Sequence, residues 1–365
     1  MAASANLPPQ FASPVISNQT VVQVLRLSAG GQRLRLRLTN EFGQTPVQVG
    51  RVRVALLDAA GQEIANSARE VAFGGARTAI IPPLSPLISD PVDLATPALG
   101  KLRVSLYFPG DVGPCTCHAD GGQVAELSPP GDFTDRPFNA VATTRARTFL
   151  SEVDVESARS APVIVAFGDS ITDGYLATPG NDHRWPDRLA ERLAREGPRG
   201  AAVVNAGIGG NRVLSGGPIP IFGIAALARL DRDVLAVPGV THLVVLEGIN
   251  DIGGKPTPSA EALIAGFRQI VARAHEHGVK VILGTILPYG GAAYFRPDGE
   301  ATRSSVNGWI RSQHEADGVV DFEAAVRDPT EPSRMRKELQ SGDWLHPNDA
   351  GYRAMGEAVS LMLFR

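Results

Sequence analysis

Hydrophobic and polar residues alternate along the first part of the chain, between residues 21 and 155. Arg33–Leu38 sets leucines on one side and arginines on the other, and residues 102–108 alternate in the same way. A period of two is typical of a β-strand with one buried face. Turns that contain glycine or proline separate the runs, and no convincing helix is predicted here. Short strands at this spacing predict an antiparallel, jelly-roll-like β-sandwich over residues 1–158.

The arginine side of this predicted sheet has two interpretations. Rows of charged residues most often form a solvated face of a sheet. The sharper hypothesis is an accessory module that walls one side of an active site or binds a polymer. Aromatic side chains that could stack on sugar rings are sparse in this half, with Tyr107, Phe108, Phe133 and Phe138 as the candidates.

The pattern changes after Ser160. Mostly apolar runs, which are typical of buried parallel strands, begin at Val163, Ala202, His242, Val279 and Val319. Between and after them, apolar residues recur every three or four positions and predict helices at 186–197, 227–235, 259–278, 304–314 and 349–363. An alternation of strands and helices predicts a parallel sheet with helices on both faces, here over residues 159–365.

Glycine and polar residues follow several of these strands or precede the last helix. They form four short stretches, GDS at 168–170, GIGGN at 207–211, GIND at 248–251 and DWLH at 343–346. Parallel strands open their carboxyl ends on one crevice, which is where α/β sheets bind ligands. We therefore expect the four stretches to converge on one site.

The residue types in these stretches are those that acyl transfer requires. Ser170 offers a nucleophilic hydroxyl, His346 can take its proton, and Asp343 can orient the imidazole from three residues away. The main-chain N–H groups of Ser170 and Gly210 and the amide of Asn250 can stabilise an oxyanion. The sequence predicts a serine hydrolase site from these residues.

Each of these assignments has a structural alternative. Asp343 could cap the last helix, His346 could be a loop histidine, and Asn250 could be an ordinary turn residue. The glycine cluster at 207–211 could cradle a phosphate, but it lacks both the GxGxxG spacing and a P-loop lysine.

Together, the four stretches resemble the four blocks of the SGNH hydrolases, also called the GDSL esterase/lipase family. The resemblance covers about residues 160–365 and implies a flavodoxin-like fold with Ser170, Asp343 and His346 as the catalytic triad. Counting from Asn205 gives Gly210 as the oxyanion glycine, with Gly209 as the fallback. The first block reads GDSI instead of GDSL, which keeps the bulk of the side chain. An N-terminal β-domain is similar to that of two-domain bacterial members.

The resemblance implies hydrolysis of short-chain esters, most often acetyl esters, on a carbohydrate, without a metal or organic cofactor. One alternative within the class is a lipolytic or aryl esterase that has little preference for the alcohol. Alternatives from other classes are an acyltransferase and a non-catalytic glycan-binding protein.

Residues beside the stretches are candidates for substrate contacts. Arg184 and Trp185 lie on the loop after Ser170, while Tyr289 and Tyr294 follow a predicted strand. The tyrosines could stack on a sugar or an aromatic alcohol, or they could pack against the β-domain. Within the stretches themselves, the candidates are Asp169 and Asn211.

Composition narrows the possible partners. The 365 residues are 43% hydrophobic, so a sizeable core is available, and a net charge of −3 gives no reason to expect nucleic acid. No apolar run approaches the length of a membrane span. The expected partner is a small-molecule or polysaccharide ester substrate, and no oligomeric state is predicted.

The N-terminus and the cysteines bear on the compartment. Residues 1–14 lack the basic and apolar regions of a signal peptide. Because members of the family are often exported, we expect a secreted or periplasmic protein whose signal peptide is absent from this sequence. One residue separates Cys115 from Cys117, which disfavours an unstrained disulfide. His118 adds a possible metal ligand without an evident fourth, so we expect two thiols in a loop and no metal.

Overall fold

The computed structural model describes residues 14–157 and 160–365. The chain divides into two compact units, Met1–Ser160 and Ala161–Arg365. Residues 1–13, where no signal peptide is recognised, and the predicted boundary between residues 158 and 159 lie outside the described residues.

The described part of the first unit is antiparallel throughout. Its strands are β1 (Ser17–Arg26), β2 (Gly31–Thr39), β3 (Val47–Val49), β4 (Arg51–Leu57), β5 (Arg69–Val71), β6 (Ala79–Ile81), β7 (Pro86–Ile88), β8 (Val92–Thr96), β9 (Lys101–Asp111), β10 (Cys117–His118), β11 (Ala125–Pro130), β12 (Ala142–Thr144), β13 (Arg147–Thr148) and β14 (Leu150–Glu156). One sheet has the order β12-β11-β1-β9-β4-β5, and a second has β14-β2-β7 with β8 also on β2. Leu36 of the second sheet and Val104 of the first belong to one hydrophobic core, which confirms the predicted sandwich.

The arginine row on β2 faces an acidic row on the neighbouring strand. The antiparallel register of β2 and β14 sets opposite charges side by side, in the pairs Arg33–Glu156, Arg35–Asp154 and Arg37–Glu152. Arg33 donates two hydrogen bonds to Glu156, at 2.8 and 3.0 Å. Cross-strand pairs of this kind favour one register. Arg33 and Glu156 therefore form an ion pair on this face, which the alternation of residues did not predict.

The expectation of two free thiols is wrong, because Cys115 and Cys117 form a disulfide. Their Cα atoms lie 5.4 Å apart, inside the range that disulfides span. A fully extended chain would hold these atoms further apart, so the backbone bends between them. A disulfide leaves no thiolate there for a metal.

The second unit is a parallel sheet with helices. Its strands are β15 (Val163–Gly168), β16 (Ala202–Gly207), β17 (His242–Leu246), β18 (Lys280–Gly284) and β19 (Gly318–Val320). Its helices are α1 (Ser170–Asp173), α2 (Trp185–Glu196), α3 (Ala226–Leu230), α4 (Ile249–Ile252), α5 (Ala260–Glu276), α6 (Pro297–Ser312), α7 (Phe322–Val326) and α8 (Asp349–Ala358). The sheet order β16-β15-β17-β18-β19 is that of flavodoxin-like folds, which confirms the predicted fold class. Among the described helices, none is long and apolar enough to cross a membrane.

Three helices differ from the predicted bounds. Helix α3 ends at Leu230, and residues Asp231–Leu235, predicted to continue it, form a π-helical turn. Helix α6 begins at Pro297, before the predicted start at residue 304, because proline fits the first turn and Asp298 favours a helix N-terminus. Helix α8 ends at Ala358, before the predicted end at residue 363. There the guanidinium of Arg192 donates to the carbonyls of Gly356 and Val359, both at 2.7 Å.

The strand register brings the predicted site together. Gly168, the last residue of β15, lies opposite Gly207 at the end of β16 and opposite Leu246 at the end of β17. Since all three strands are parallel, the GDS, GIGGN and GIND stretches leave the sheet at the same edge.

Candidate active site

The GDS stretch presents its serine on a tight turn between a buried strand and a short helix. Asp169 caps α1, because its Oδ1 accepts the main-chain N–H of Ile171 at 2.9 Å. The helix ends at Gly174, whose N–H donates to the carbonyl of Ser170 at 2.9 Å. Both ends of α1 are thus fixed, and Ser170 is held with 8% of its surface exposed.

Ser170, His346 and Asp343 form a continuous hydrogen-bonded row. Ser170 Oγ lies 2.8 Å from His346 Nε2, and His346 Nδ1 lies 2.6 Å from Asp343 Oδ2. The other carboxylate oxygen, Oδ1, accepts the main-chain N–H groups of Leu345 and His346, both at 2.9 Å. The carboxylate is therefore fixed on the same turn as the imidazole that it contacts.

The charge of Asp343 defines the tautomer of His346. Partial burial would raise the pKa of Asp343, but the hydrogen bonds from the ring and main chain of His346 and from Leu345 outweigh it and hold the pKa at about 2. An ionised carboxylate can only accept hydrogen bonds, so the proton of a neutral imidazole is on Nδ1. Nε2 is then free to accept the hydroxyl proton of Ser170.

The three predicted oxyanion donors fit the site to different degrees. Gly209 donates its N–H to Asp173 Oδ2 at 3.2 Å, whereas the N–H groups of Ser170 and Gly210 make no hydrogen bond to any described residue. The amide of Asn250 donates to the carbonyl of Asn211 at 3.0 Å, which leaves its second N–H available. These contacts favour Gly210 over the fallback, Gly209.

Gly210 needs to be glycine for two reasons. Its φ is +75°, in the left-handed region that residues with a side chain rarely adopt. A β-carbon at this position would also run into the ring of Phe222. The aromatic ring therefore lies directly against the oxyanion glycine.

A buried arginine joins the strand ends behind the site. Arg229, on α3, is fully buried and donates to the carbonyls of Gly168 and Ala206 at 2.9 and 2.8 Å. It also donates to Glu247 at 3.3 Å and to Asn211 Oδ1 at 2.8 Å. Its guanidinium lies 4.0 Å from the centre of the Phe167 ring. One side chain thus bonds the ends of β15 and β16, the residue after β17, and the asparagine whose carbonyl holds Asn250.

Two buried acids lie close to this arginine. Burial raises the pKa of Asp169 to about 7, and the nearby charge of Asp251 adds to the rise. Burial also raises the pKa of Glu247 well above its usual value, with a further contribution from the charge of Asp169, although Arg229 opposes it. Asp169 Oδ2 and Glu247 Oε2 are buried and have no hydrogen-bond partner among the described residues. The region under the nucleophile therefore favours a protonated acid near neutral pH.

The loop after the nucleophile is fastened to the helix that follows His346. Asp349, at the start of α8, accepts from the N–H and hydroxyl of Thr178 at 2.9 and 2.7 Å and lies 2.6 Å from His183 Nδ1. Tyr352 donates its hydroxyl to the carbonyl of Tyr175 at 2.7 Å. The ring of Tyr175 meets the imidazole of His346 edge to face, with 4.8 Å between the ring centres. These contacts of Asp349 and Tyr352, called here the clasp, hold the loop after Ser170 beside the imidazole of His346.

Most of the residues predicted to contact substrate are buried or bonded to other parts of the protein. Trp185 is fully buried, and its indole N–H donates to Thr172 Oγ1 at 3.3 Å. Asn211 is also fully buried, and its side chain bonds to main-chain carbonyls and to Arg229. Arg184 pairs with Asp187 at 2.7 Å, and Asp169 is the cap already described. Trp185, Asn211 and Asp169 offer almost no surface to a substrate in this structure.

The two tyrosines differ in exposure. Tyr289 is 1% exposed and packs against Tyr294 and Phe295, at ring distances of 5.9 and 5.1 Å. Tyr294 is half-buried and its ring lies against Gly253, just after the GIND stretch. Tyr294 therefore retains some accessible surface near the site. Tyr289 is buried and packs against the ring of Tyr294.

Arg229, Tyr175 and Asp349 were not predicted from the sequence to belong to the site. Arg229 lies in an ordinary helical pattern, and nothing in its sequence neighbourhood separates it from the exposed arginines. The sequence does contain a signal for Asp349, because an acidic residue in the first turn of the helix that follows His346 is placed to accept hydrogen bonds from a neighbouring loop. Its partners Thr178 and His183 come from a loop that only the fold brings close.

Comparisons with known proteins place the match on the second unit. The description of the matching family model is GDSL-like lipase/acylhydrolase family, and it covers residues 166–354, which include all four stretches. A solved lipase/acylhydrolase from Enterococcus faecalis is 27% identical, over 55% of this chain and 93% of that chain, with a TM-score of 0.41. The aryl esterase of M. smegmatis is 17% identical, over 54% and 96% of the two chains, with a TM-score of 0.44. A carbohydrate acetylesterase from Sinorhizobium meliloti is 15% identical, over 54% and 95%, with a TM-score of 0.44. No curated protein matches the chain in sequence.

Replacing Arg229 tests its role in joining the strand ends. Arg229→Met removes every hydrogen bond that the buried guanidinium donates to Gly168, Ala206, Asn211 and Glu247, so we expect the free energy of unfolding to fall by about 3–5 kcal/mol. The matched control is Arg195→Met, since Arg195 is exposed and pairs at the surface with Glu196. That variant should lose at most about 1 kcal/mol in urea denaturation.

Without Arg229, Glu247 must hold a proton to remain buried, so the double variant Arg229→Met/Glu247→Gln, which cannot ionise there, should regain stability mainly at high pH. If Arg229→Met costs no more than Arg195→Met, the proposed role of Arg229 is wrong.

The raised pKa of Asp169 predicts a pH-dependent stability. A carboxyl group with a pKa of about 7 when folded, against 3.8 ordinarily, binds a proton more tightly in the folded state. Its contribution to stability is therefore lost as the pH rises from about 4 to 7, at no more than about 1.4 kcal/mol per pH unit. Asp169→Asn keeps the capping oxygen and removes the titration. The free energy of unfolding of the wild type, minus that of Asp169→Asn, should fall across this window, and a constant difference would contradict the raised pKa.

Proposed function

The chain belongs to the GDSL-like lipase/acylhydrolase family and is an ester hydrolase; from this premise we propose that it cleaves short-chain esters through an acyl-enzyme on Ser170. The observation that carries the proposal is the hydrogen-bonded row of Ser170, His346 and Asp343, with contacts of 2.8 and 2.6 Å. A nucleophile, a base and a group that orients the base are the three parts that this chemistry needs.

In the first half of the reaction, Ser170 Oγ attacks the carbonyl carbon of the ester. His346 Nε2 takes the hydroxyl proton as the Oγ–C bond forms, and the electron pair of the C=O bond moves to the oxygen. The N–H groups of Ser170 and Gly210 and the amide of Asn250 stabilise this oxyanion. When the intermediate collapses, the C–O bond to the alcohol breaks and the alcohol takes the proton from Nε2.

In the second half, water attacks the acyl-enzyme. His346 Nε2 accepts one proton of the water as the new C–O bond forms, and the oxyanion is stabilised by the same donors. Collapse breaks the bond to Ser170 Oγ, which recovers its proton from Nε2, and the carboxylic acid leaves. Asp343 stays ionised throughout and stabilises the imidazolium of each intermediate.

For the acyl group we favour acetyl or another short chain, on a carbohydrate alcohol. The ring of Phe222 against Gly210 supports a small acyl pocket, because it occupies space directly beside the oxyanion donor. The half-buried Tyr294 near the GIND stretch offers an aromatic surface for a sugar ring. An aryl or lipolytic esterase is the alternative within the family, and it predicts a different response to chain length.

Hydrolysis of 4-nitrophenyl acetate, butyrate, octanoate and palmitate tests the proposal. We expect acetate to give the highest kcat/KM, and Ser170→Ala to lose activity on the order of 10⁴-fold or more. The matched control is Ser305→Ala, because Ser305 is exposed on α6 and should not affect turnover. Activity that survives in Ser170→Ala would overturn the nucleophile, and a preference for octanoate or palmitate would favour the lipolytic alternative.

A further inference from the structure

Among the described residues, an arginine beside the predicted oxyanion hole has no hydrogen-bond or ion-pair partner. Arg212 follows Asn211, whose carbonyl accepts the amide of Asn250 at 3.0 Å. Its side chain is half-buried, and Nε is buried without a hydrogen-bond partner. Among the described residues, no carboxylate forms an ion pair with Arg212 and no acceptor receives a hydrogen bond from its guanidinium. Burying part of a charged group without a partner costs stability, so this arrangement calls for a functional explanation.

The nearby acceptors are already used by other groups. The guanidinium carbon of Arg212 lies 3.7 Å from the place where a β-carbon on Gly254 would stand. The carbonyls of Ile252, Gly253 and Gly254 accept from Arg296, at 3.3, 3.4 and 2.7 Å. The carboxylate of Asp251 accepts the N–H groups of Val213 and Leu214, at 2.8 and 3.0 Å. Burial raises the pKa of Asp251 and the charge of Arg212 opposes that rise, but the two side chains form no ion pair within contact distance. Arg212 therefore faces a loop whose acceptors are satisfied from elsewhere.

A second donor without a partner among the described residues packs against the same loop. The ring of Tyr294 packs on Gly253, 2.8 Å from where a β-carbon would stand, and its hydroxyl is buried without a partner among the described residues. Burial raises the pKa of Tyr294 well above its usual value; Asp169 and Asp343 add to the rise, and Arg212 opposes it. The tyrosine hydroxyl is therefore within electrostatic reach of both the triad carboxylate and Arg212.

We propose that Arg212 and the hydroxyl of Tyr294 form a subsite that binds a carboxylate of the ester substrate beside the oxyanion hole. The subsite rests on the proposed function and narrows its substrate class to esters that carry a free carboxylate near the scissile bond. The planar guanidinium matches a carboxylate with two parallel hydrogen bonds, and the tyrosine adds a third donor.

A monoanion fits this subsite better than a phosphate dianion. Arg212 supplies one positive charge, and the neighbouring Arg296 is already engaged with loop carbonyls and with Asp298 at 3.3 Å. A carboxylate of this kind has two sources. It belongs either to the alcohol, as in an acetylated uronic acid, or to the acyl group, as in a half-ester of a dicarboxylic acid.

Binding to an inactive enzyme tests the subsite apart from turnover. The protein is Ser170→Ala, with and without Arg212→Met or Tyr294→Phe, and calorimetry measures Kd for galacturonate, its neutral methyl ester and monomethyl succinate. We expect galacturonate or monomethyl succinate to bind at least about tenfold more tightly than the neutral ester, and Arg212→Met to remove that difference. Arg212→Lys should restore only part of it, because an ammonium lacks the planar fork. Whichever of the two acids binds more tightly identifies the source of the carboxylate.

The control is Arg199→Met, because Arg199 is exposed before β16, at the opposite edge of the sheet. It should leave each Kd unchanged. Equal affinity for galacturonate and its methyl ester together with no binding of monomethyl succinate, or a preference that survives Arg212→Met, would overturn the subsite.

Turnover then separates this proposal from the proposed function. With active enzyme, the ratio of kcat/KM for acetylated galacturonate to that for its methyl ester should exceed about ten, and Arg212→Met should lower the ratio to about one through KM. If galacturonate is the tighter ligand, hydrolysis of both esters at the same efficiency contradicts the subsite alone; if monomethyl succinate is, the same comparison is made between monomethyl succinate and dimethyl succinate. A wild type that binds galacturonate through Arg212 but cleaves no ester contradicts the proposed function and leaves the binding site supported.

Discussion

The candidate site depends most on the hydrogen bonds that the guanidinium of Arg229 donates. The guanidinium is fully buried and reaches the carbonyls of Gly168 and Ala206, the carboxylate of Glu247 and the side chain of Asn211. A buried charge is tolerated only when its donors are matched by acceptors, so these four groups must keep one arrangement for Arg229 to remain satisfied. Ser170, Gly210 and Asn250 all follow strand ends that this side chain joins. The geometry of the candidate site thus depends on a residue that is itself fully buried.

The triad contains one contact within a single turn and one contact between distant parts of the chain. Asp343 and His346 are three residues apart, and main-chain hydrogen bonds to the carboxylate fix their contact within one turn. Ser170 lies 176 residues before His346, and the parallel sheet and the clasp of Asp349 on the loop after Ser170 bring the two together. The local pair is set by a short sequence, while the contact of 2.8 Å between Ser170 and His346 depends on the packing of the whole unit.

The parts that sequence alone predicted are those governed by periodicity and short motifs. Alternation in β2 and β9 predicted the sandwich, and apolar runs from Val163 onward predicted the parallel sheet. The four stretches predicted which residues meet at the sheet edge. What sequence did not predict depends on distant partners. Trp185 follows the nucleophile but turns into the core against Phe322, 5.1 Å between ring centres, and the disulfide of Cys115 and Cys117 depends on a bend of the backbone. No short motif marks either Arg212 or Arg229, yet the guanidinium of Arg229 is fully hydrogen-bonded, whereas Arg212 has no hydrogen-bond or ion-pair partner among the described residues.

The central claim is that Ser170 carries the acyl group between the two halves of the reaction. The most direct measurement is mass spectrometry of peptides after the enzyme is mixed with excess 4-nitrophenyl acetate and quenched in acid within the first turnovers. We expect an acetyl group on the peptide that contains Ser170 in the wild type, and none on that peptide in Ser170→Ala. An acetyl group on a different residue, or rapid release of acetate while the Ser170 peptide stays unmodified at every quench time, would contradict the account.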